Sequence, residues 1–125
     1  CLEMTVTCDA VAFLKRLKFL EEKMGRSKNS RWGSRICDLD LLNFGDKVSP
    51  SDEIFRHWLK MPLKDQISQT PSQLLLPHPR IQDRAFILKP LMEIAGDWMH
   101  PVLNLSVNAL LESLPRAERD AVLPI

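Results

Sequence analysis

The chemistry-bearing residues of this chain crowd into one stretch. Between Gly25 and Gly33 lie Arg26, Lys28, Arg31 and Trp32, Arg35 follows, and the loop then turns at once into an apolar run that holds Asp38 and Asp40. In an extended strand successive side chains alternate faces, so Asp38 and Asp40 project together while Cys37, Leu39 and Leu41 point toward a core. Two carboxylates on one face suit a hard divalent cation such as Mg²⁺, which takes one or two protein carboxylates and fills its other positions with water and substrate phosphates. The cations Arg26, Lys28, Arg31 and Arg35 would meet the same polyphosphate from its other side. The implied ligand is a nucleoside triphosphate on Mg²⁺. A metal-dependent nuclease or nucleotidyltransferase also uses Asp-x-Asp, but further carboxylates near the pair and a broad basic surface are missing.

A second group is Pro77-His78-Pro79-Arg80. Proline on both sides fixes the backbone and restricts Leu76 and His78 to extended conformations. A histidine held this way suits a contact to phosphate or leaving group, or a structural place. Arg84 follows, and the β-rich segment Ala85 to Leu88 predicts a strand with Phe86 in it.

Taken together, Gly25-Arg26 … Arg31-Trp32-Gly33-Ser34-Arg35-Ile36-Cys37-Asp38-Leu39-Asp40 and Pro77-His78-Pro79-Arg80 … Arg84-Ala85-Phe86-Ile87-Leu88-Lys89-Pro90-Leu91-Met92-Glu93-Ile94-Ala95 closely resemble the signature of the 6-hydroxymethyl-7,8-dihydropterin pyrophosphokinase family of the folate pathway. The resemblance runs from Cys1 to about Pro101 with one insertion. It implies transfer of pyrophosphate from ATP to the hydroxymethyl oxygen of the pterin, releasing AMP. It also implies Asp38 and Asp40 as ligands of two Mg²⁺ ions, and Arg26 and Arg35 as stabilisers of charge on the transferring group. Lys28, Arg31, Arg35, His78 and Arg84 would grip ATP, Glu21 would touch its adenosine part, and Trp32 and Phe86 would wall the pterin. Glu3 stands where the family has an asparagine that helps bind the pterin; a carboxylate accepts hydrogen bonds and cannot donate them. An exposed edge-strand glutamate is the alternative for Glu3, and ordinary core the alternative for Phe86. Nothing corresponds to the strand, helix and loop with which family members begin, so the chain is expected to be the C-terminal two-thirds of the enzyme. A remnant that binds nucleotide or a partner protein without catalysis is the competing reading.

These residues need elements to position them. Leu2 to Cys8 alternates and predicts a half-buried strand. Asp9 caps a predicted helix to Met24, with Phe13, Leu17, Leu20 and Met24 as its apolar stripe and Gly25 as its stop. Ile36 to Phe44 predicts a second strand, ended by the turn at Gly45-Asp46. From about 49 to 74 an insertion holds a short helix capped by Ser51, with Ile54, Phe55, Trp58 and Leu59 on one face and His57 exposed; Pro62 and Pro71 fence it off. Pro90 to Ala95 predicts a helical turn, and Ser106 caps a last helix with Val107, Leu110, Leu111 and Leu114 inward before Pro115. Periodicity alone gives α+β. The resemblance sharpens this to ferredoxin-like αβα layers around an antiparallel sheet, lacking the N-terminal strand and helix.

The chain of 125 residues reads as one domain, and its net charge of +1 supplies no global field for nucleic acid or a membrane surface. Three cysteines, at positions 1, 8 and 37, have neither zinc-ligand spacing nor the even count of a disulfide framework. With no signal peptide or long apolar span, the expectation is a reduced, cytoplasmic, monomeric protein whose partners are small anionic molecules.

Overall fold

The computed structural model describes residues 1–25, 37–69 and 71–125. The loop cations Arg26, Lys28, Arg31 and Arg35, and Trp32, lie outside the described residues. Two compact units are present, Met4–Leu41 and Cys1–Glu3 with Leu42–Ile125.

In the first unit, α1 spans Ala10–Gly25. Asp9 starts it as expected: its Oδ1 accepts the Ala12 N–H at 2.8 Å, satisfying one of the amides that a helix N-terminus leaves open. Gly25 ends it at φ 152°, in the region that favours glycine. The apolar stripe is rotated from the expected one. The covered line runs Ala10, Leu14, Leu17, Glu21, whereas Leu20 and Met24 are 46% and 51% exposed. Glu21 lies on that covered line and accepts a hydrogen bond described below.

The second unit holds α2 (Asp52–Lys60), α3 (Leu63–Ser68), α4 (Ala85–Ala95), α5 (Val107–Ser113) and α6 (Arg116–Asp120), with a 3-10 turn at Ile81–Asp83. Ser51 caps α2, its side chain accepting from the Ile54 N–H, and Ser106 caps α5 by accepting from the Ala109 N–H. Phe55 is the fully buried residue of α2, and His57 is exposed. The Gln66 side-chain amide donates to the Trp58 and Met61 carbonyls at 2.9 and 3.0 Å, closing the end of α2. The core joins Ile81, Leu88 and Leu91 to Val107, Leu110 and Leu111, so α4 packs on α5, with Leu114 and Trp98 at its edge.

The expected strand at Ala85 to Leu88 is instead the first turn of α4. The Arg84 carbonyl accepts from the Ile87 and Leu88 amides at 3.0 Å each, and Leu88, Leu91 and Ala95 recur at helical steps against α5. Core packing over that period outweighs the β preference of the short run Phe86-Ile87. Among the described residues Leu2 to Cys8 and Cys37 to Phe44 form no ladder; the β-type pairs are two isolated antiparallel bridges, Ser49 with Leu76 and Met99 with Ser106. An alternating segment becomes a strand only when a neighbour supplies the other half of the hydrogen bonds, and here none does. The described residues are therefore mostly helical.

Candidate active site

The carboxylate pair sits in the first unit. Burial alternates along Cys37 to Leu41, with Asp38 and Asp40 exposed and Cys37, Leu39 and Leu41 half-buried, as the period of two requires. One turn before the end of α1, Glu21 reaches this segment: its Oε1 accepts the Leu39 N–H at 2.6 Å. Lys18, three residues earlier on α1, donates to both Glu21 oxygens at 3.1 and 3.3 Å. Glu21 is 7% exposed, so a buried carboxylate holds the peptide between the two aspartates, with an ammonium beside it to offset its charge. Glu21, outside the stripe Phe13, Leu17, Leu20 and Met24 expected from periodicity, lies on the covered line and reaches the segment of the Asp pair.

In the second unit the His78 turn is built by backbone bonds. The His78 N–H donates to the Leu42 carbonyl at 2.7 Å, and its carbonyl accepts the Ile81 N–H at 3.2 Å. His78 Nδ1 accepts the Arg80 N–H at 3.2 Å, so a neutral ring carries its hydrogen on Nε2 as a donor. Leu76, just before the turn, is fully buried and paired with Ser49. Arg84 leads into α4, and its guanidinium lies 5.7 Å from the Phe86 ring centroid. Phe86 is 62% exposed, which removes ordinary core as its role. Pro90, in the body of α4, has no N–H to return to the Phe86 carbonyl four residues back. Glu3 is exposed.

Residues 1–96 match the family model described as 7,8-dihydro-6-hydroxymethylpterin-pyrophosphokinase, HPPK. The chain belongs to the HPPK family. It is 32% identical over 114 residues to the 2-amino-4-hydroxy-6-hydroxymethyldihydropteridine pyrophosphokinase of Synechocystis sp., covering 91% of this chain and 48% of that protein. The like-named protein of Bacillus subtilis is 29% identical over 92 residues, covering 74% of the chain and 43% of that protein. The folic acid synthesis protein fol1 of Pneumocystis carinii is 33% identical over 111 residues, 89% of the chain and 12% of that protein. The chain thus spans about half the length of these two bacterial relatives. Every candidate site residue lies inside the HPPK match, whereas α5 and α6 lie beyond it.

One histidine outside the match went unnoticed in the sequence. His100 is fully buried, with Phe55 and Trp98 rings at 5.9 and 5.7 Å between centroids. Its Nδ1 accepts the Val102 and Leu103 amides at 3.2 and 3.1 Å, while Nε2 is buried with no protein partner. Burial pushes its pKa below the ordinary 6.5. The signal was available: His100 precedes Pro101 as His78 precedes Pro79, and both rings accept the N–H two residues on. Among the described residues no group of three metal-ligating side chains occurs, and no helix is long and apolar enough to cross a membrane.

Proposed function

We propose that this chain forms the pyrophosphoryl-transfer centre of a folate-pathway enzyme that uses ATP to diphosphorylate 6-hydroxymethyl-7,8-dihydropterin. The observation that carries the proposal is the exposed pair Asp38 and Asp40 on either side of a half-buried, hydrogen-bonded Leu39. Two acceptor-only carboxylates on one face fit Mg²⁺, which takes its other ligands from water and phosphate oxygens. Bound there, Mg²⁺ would supply charge neutralisation on the phosphates.

Such a transfer needs in-line placement and stabilisation of developing charge, with no covalent nucleophile. His78 would donate from Nε2 to a phosphate oxygen, with its turn fixed by the Arg80 N–H on Nδ1. Arg84 would add a cation to ATP, and the exposed ring of Phe86 beside it would take one face of the pterin. Arg26 and Arg35 would stabilise the transferring group, Lys28 and Arg31 would grip ATP, and Trp32 would take the pterin's other face. Lys28 keeps the charge of an arginine without its bidentate fork. The residues of 1–125 would act as one domain with 49–74 as a cover, in a cytoplasmic monomer. Leu2 to Cys8 and Cys37 to Phe44 would serve as strands of a ferredoxin-like antiparallel sheet once neighbouring strands pair with them.

The test is AMP formation from Mg-ATP and the hydroxymethylpterin, alongside calorimetric titration of each substrate. AMP that depends on both substrates and disappears in Asp38→Ala supports the assignment. Nucleotide binding without turnover favours the non-catalytic reading, to which Glu3 in place of asparagine points, and absence of nucleotide binding overturns both.

A further inference from the structure

The buried carboxylate of Glu21 has a task that the exposed aspartates cannot do for themselves. In an extended segment the directions of Asp38 and Asp40 are set by the peptide planes between them, and among the described residues this segment has no ladder partner to hold those planes. Glu21 Oε1 takes the Leu39 N–H at 2.6 Å, the amide between the two aspartates, from a helix rather than from a strand. Lys18 bridges both Glu21 oxygens, so the buried charge is offset on its own helix and adds little repulsion to the pair.

We propose that Glu21 is a positioning residue that sets the separation and common direction of Asp38 and Asp40 through the Leu39 amide, and so fixes the affinity of the pair for a divalent cation. The inference rests on the assignment of Asp38 and Asp40 as metal ligands made above. It gives Glu21 a role through the backbone, distinct from touching the nucleotide. An oxygen acceptor at this position is what the role needs, and a negative charge is not. Groups that orient ligands without touching the metal are commonly worth about 10- to 100-fold in metal affinity.

The experiment measures Mn²⁺ affinity by electron paramagnetic resonance, in the presence of a non-hydrolysable ATP analogue, for the whole chain and four variants. Glu21→Met fills the space without an acceptor, Glu21→Gln keeps an oxygen for the Leu39 N–H, Lys18→Met removes the ammonium, and Asp38→Ala removes a proposed ligand. Amide exchange at Leu39 is followed by NMR in each. The expected result is that Glu21→Met weakens Mn²⁺ by at least about tenfold with fast exchange at Leu39, while Glu21→Gln and Lys18→Met stay within about threefold of the parent with Leu39 protected. Parent-like Mn²⁺ binding in Glu21→Met, with Asp38→Ala defective, overturns the positioning role and leaves the metal assignment standing. Parent-like binding in Asp38→Ala overturns the metal assignment itself and the proposal with it. Should Glu21→Met fail to fold, Glu21→Gln still decides: loss of Mn²⁺ affinity with Leu39 still protected shows that charge is required and overturns the proposal.

Discussion

Leu88 is the residue through which α4, carrying Phe86 and led in by Arg84, is held to α5. It is fully buried among Ile81, Leu91, Val107, Leu110 and Leu111. Leu88→Ala removes three buried carbons at about 0.8 kcal/mol each, about 2.4 kcal/mol of transfer free energy. Five of its neighbours are themselves buried side chains that cannot all collapse into the gap, so a cavity contribution raises the expected loss to about 3–4 kcal/mol. With a urea dependence of about 1.5–2 kcal/mol/M, the unfolding midpoint should fall by about 2 M at unchanged slope. Tryptophan fluorescence follows the transition, since Trp98 packs at the edge of this cluster. Met92→Ala, on the same helix at 38% exposure, is the control and should cost less than about 1 kcal/mol. Equal losses for the two variants, or a loss below about 1 kcal/mol for Leu88→Ala, would refute the account of how α4 is anchored.

Three further outcomes are expected. Phe86→Ala should leave stability within about 0.5 kcal/mol, because the ring is already mostly in water, while pterin affinity falls about three- to tenfold in calorimetric titration; unchanged affinity removes the stacking role. His100 should make the fold acid-sensitive: its folded pKa lies below the unfolded 6.5, so stability is full above that value and is lost as pH falls from about 6.5 toward the folded pKa. Its share of the slope is at most about 1.4 kcal/mol per pH unit, and urea midpoints measured between pH 7.5 and 5 should lose that component in His100→Gln. Ser51→Ala should cost about 1 kcal/mol by leaving the Ile54 amide without its cap, read from the urea midpoint with Ser68→Ala as a control outside any cap.

How much could be read in advance depended on whether the cause was local. The caps Asp9, Ser51 and Ser106, the stop at Gly25, the exposed His57 and the inward Val107, Leu110 and Leu111 were all legible, because each follows from a side chain and the few residues beside it. The alternation of Asp38 and Asp40 with Leu39 was legible for the same reason. The segment Ala85 to Leu88 was misread as a strand, since a four-residue run built on Phe86-Ile87 does not reveal that Leu91 and Ala95 continue a helical face against α5. The helices α3 and α6, at six and five residues, are too short for a periodic signal. Glu21 was singled out, but its hydrogen bond to Leu39 joins residues 18 apart and has no signature in either neighbourhood. His100 carried a signature, the following proline, that only the comparison with His78 makes meaningful.

That repeated turn has a practical consequence for watching the molecule. The chain has three histidines, and they occupy three different solvations: His57 exposed, His78 half-buried and His100 fully buried. His78 and His100 share one tautomer because each Nδ1 receives a backbone N–H, so in a ¹⁵N-histidine spectrum the buried ring serves as an internal standard for the other. Addition of nucleotide should then move the Nε2 signal of His78 while that of His100 stays still. The protein carries its own spectroscopic reference and its own reporter in a single residue type.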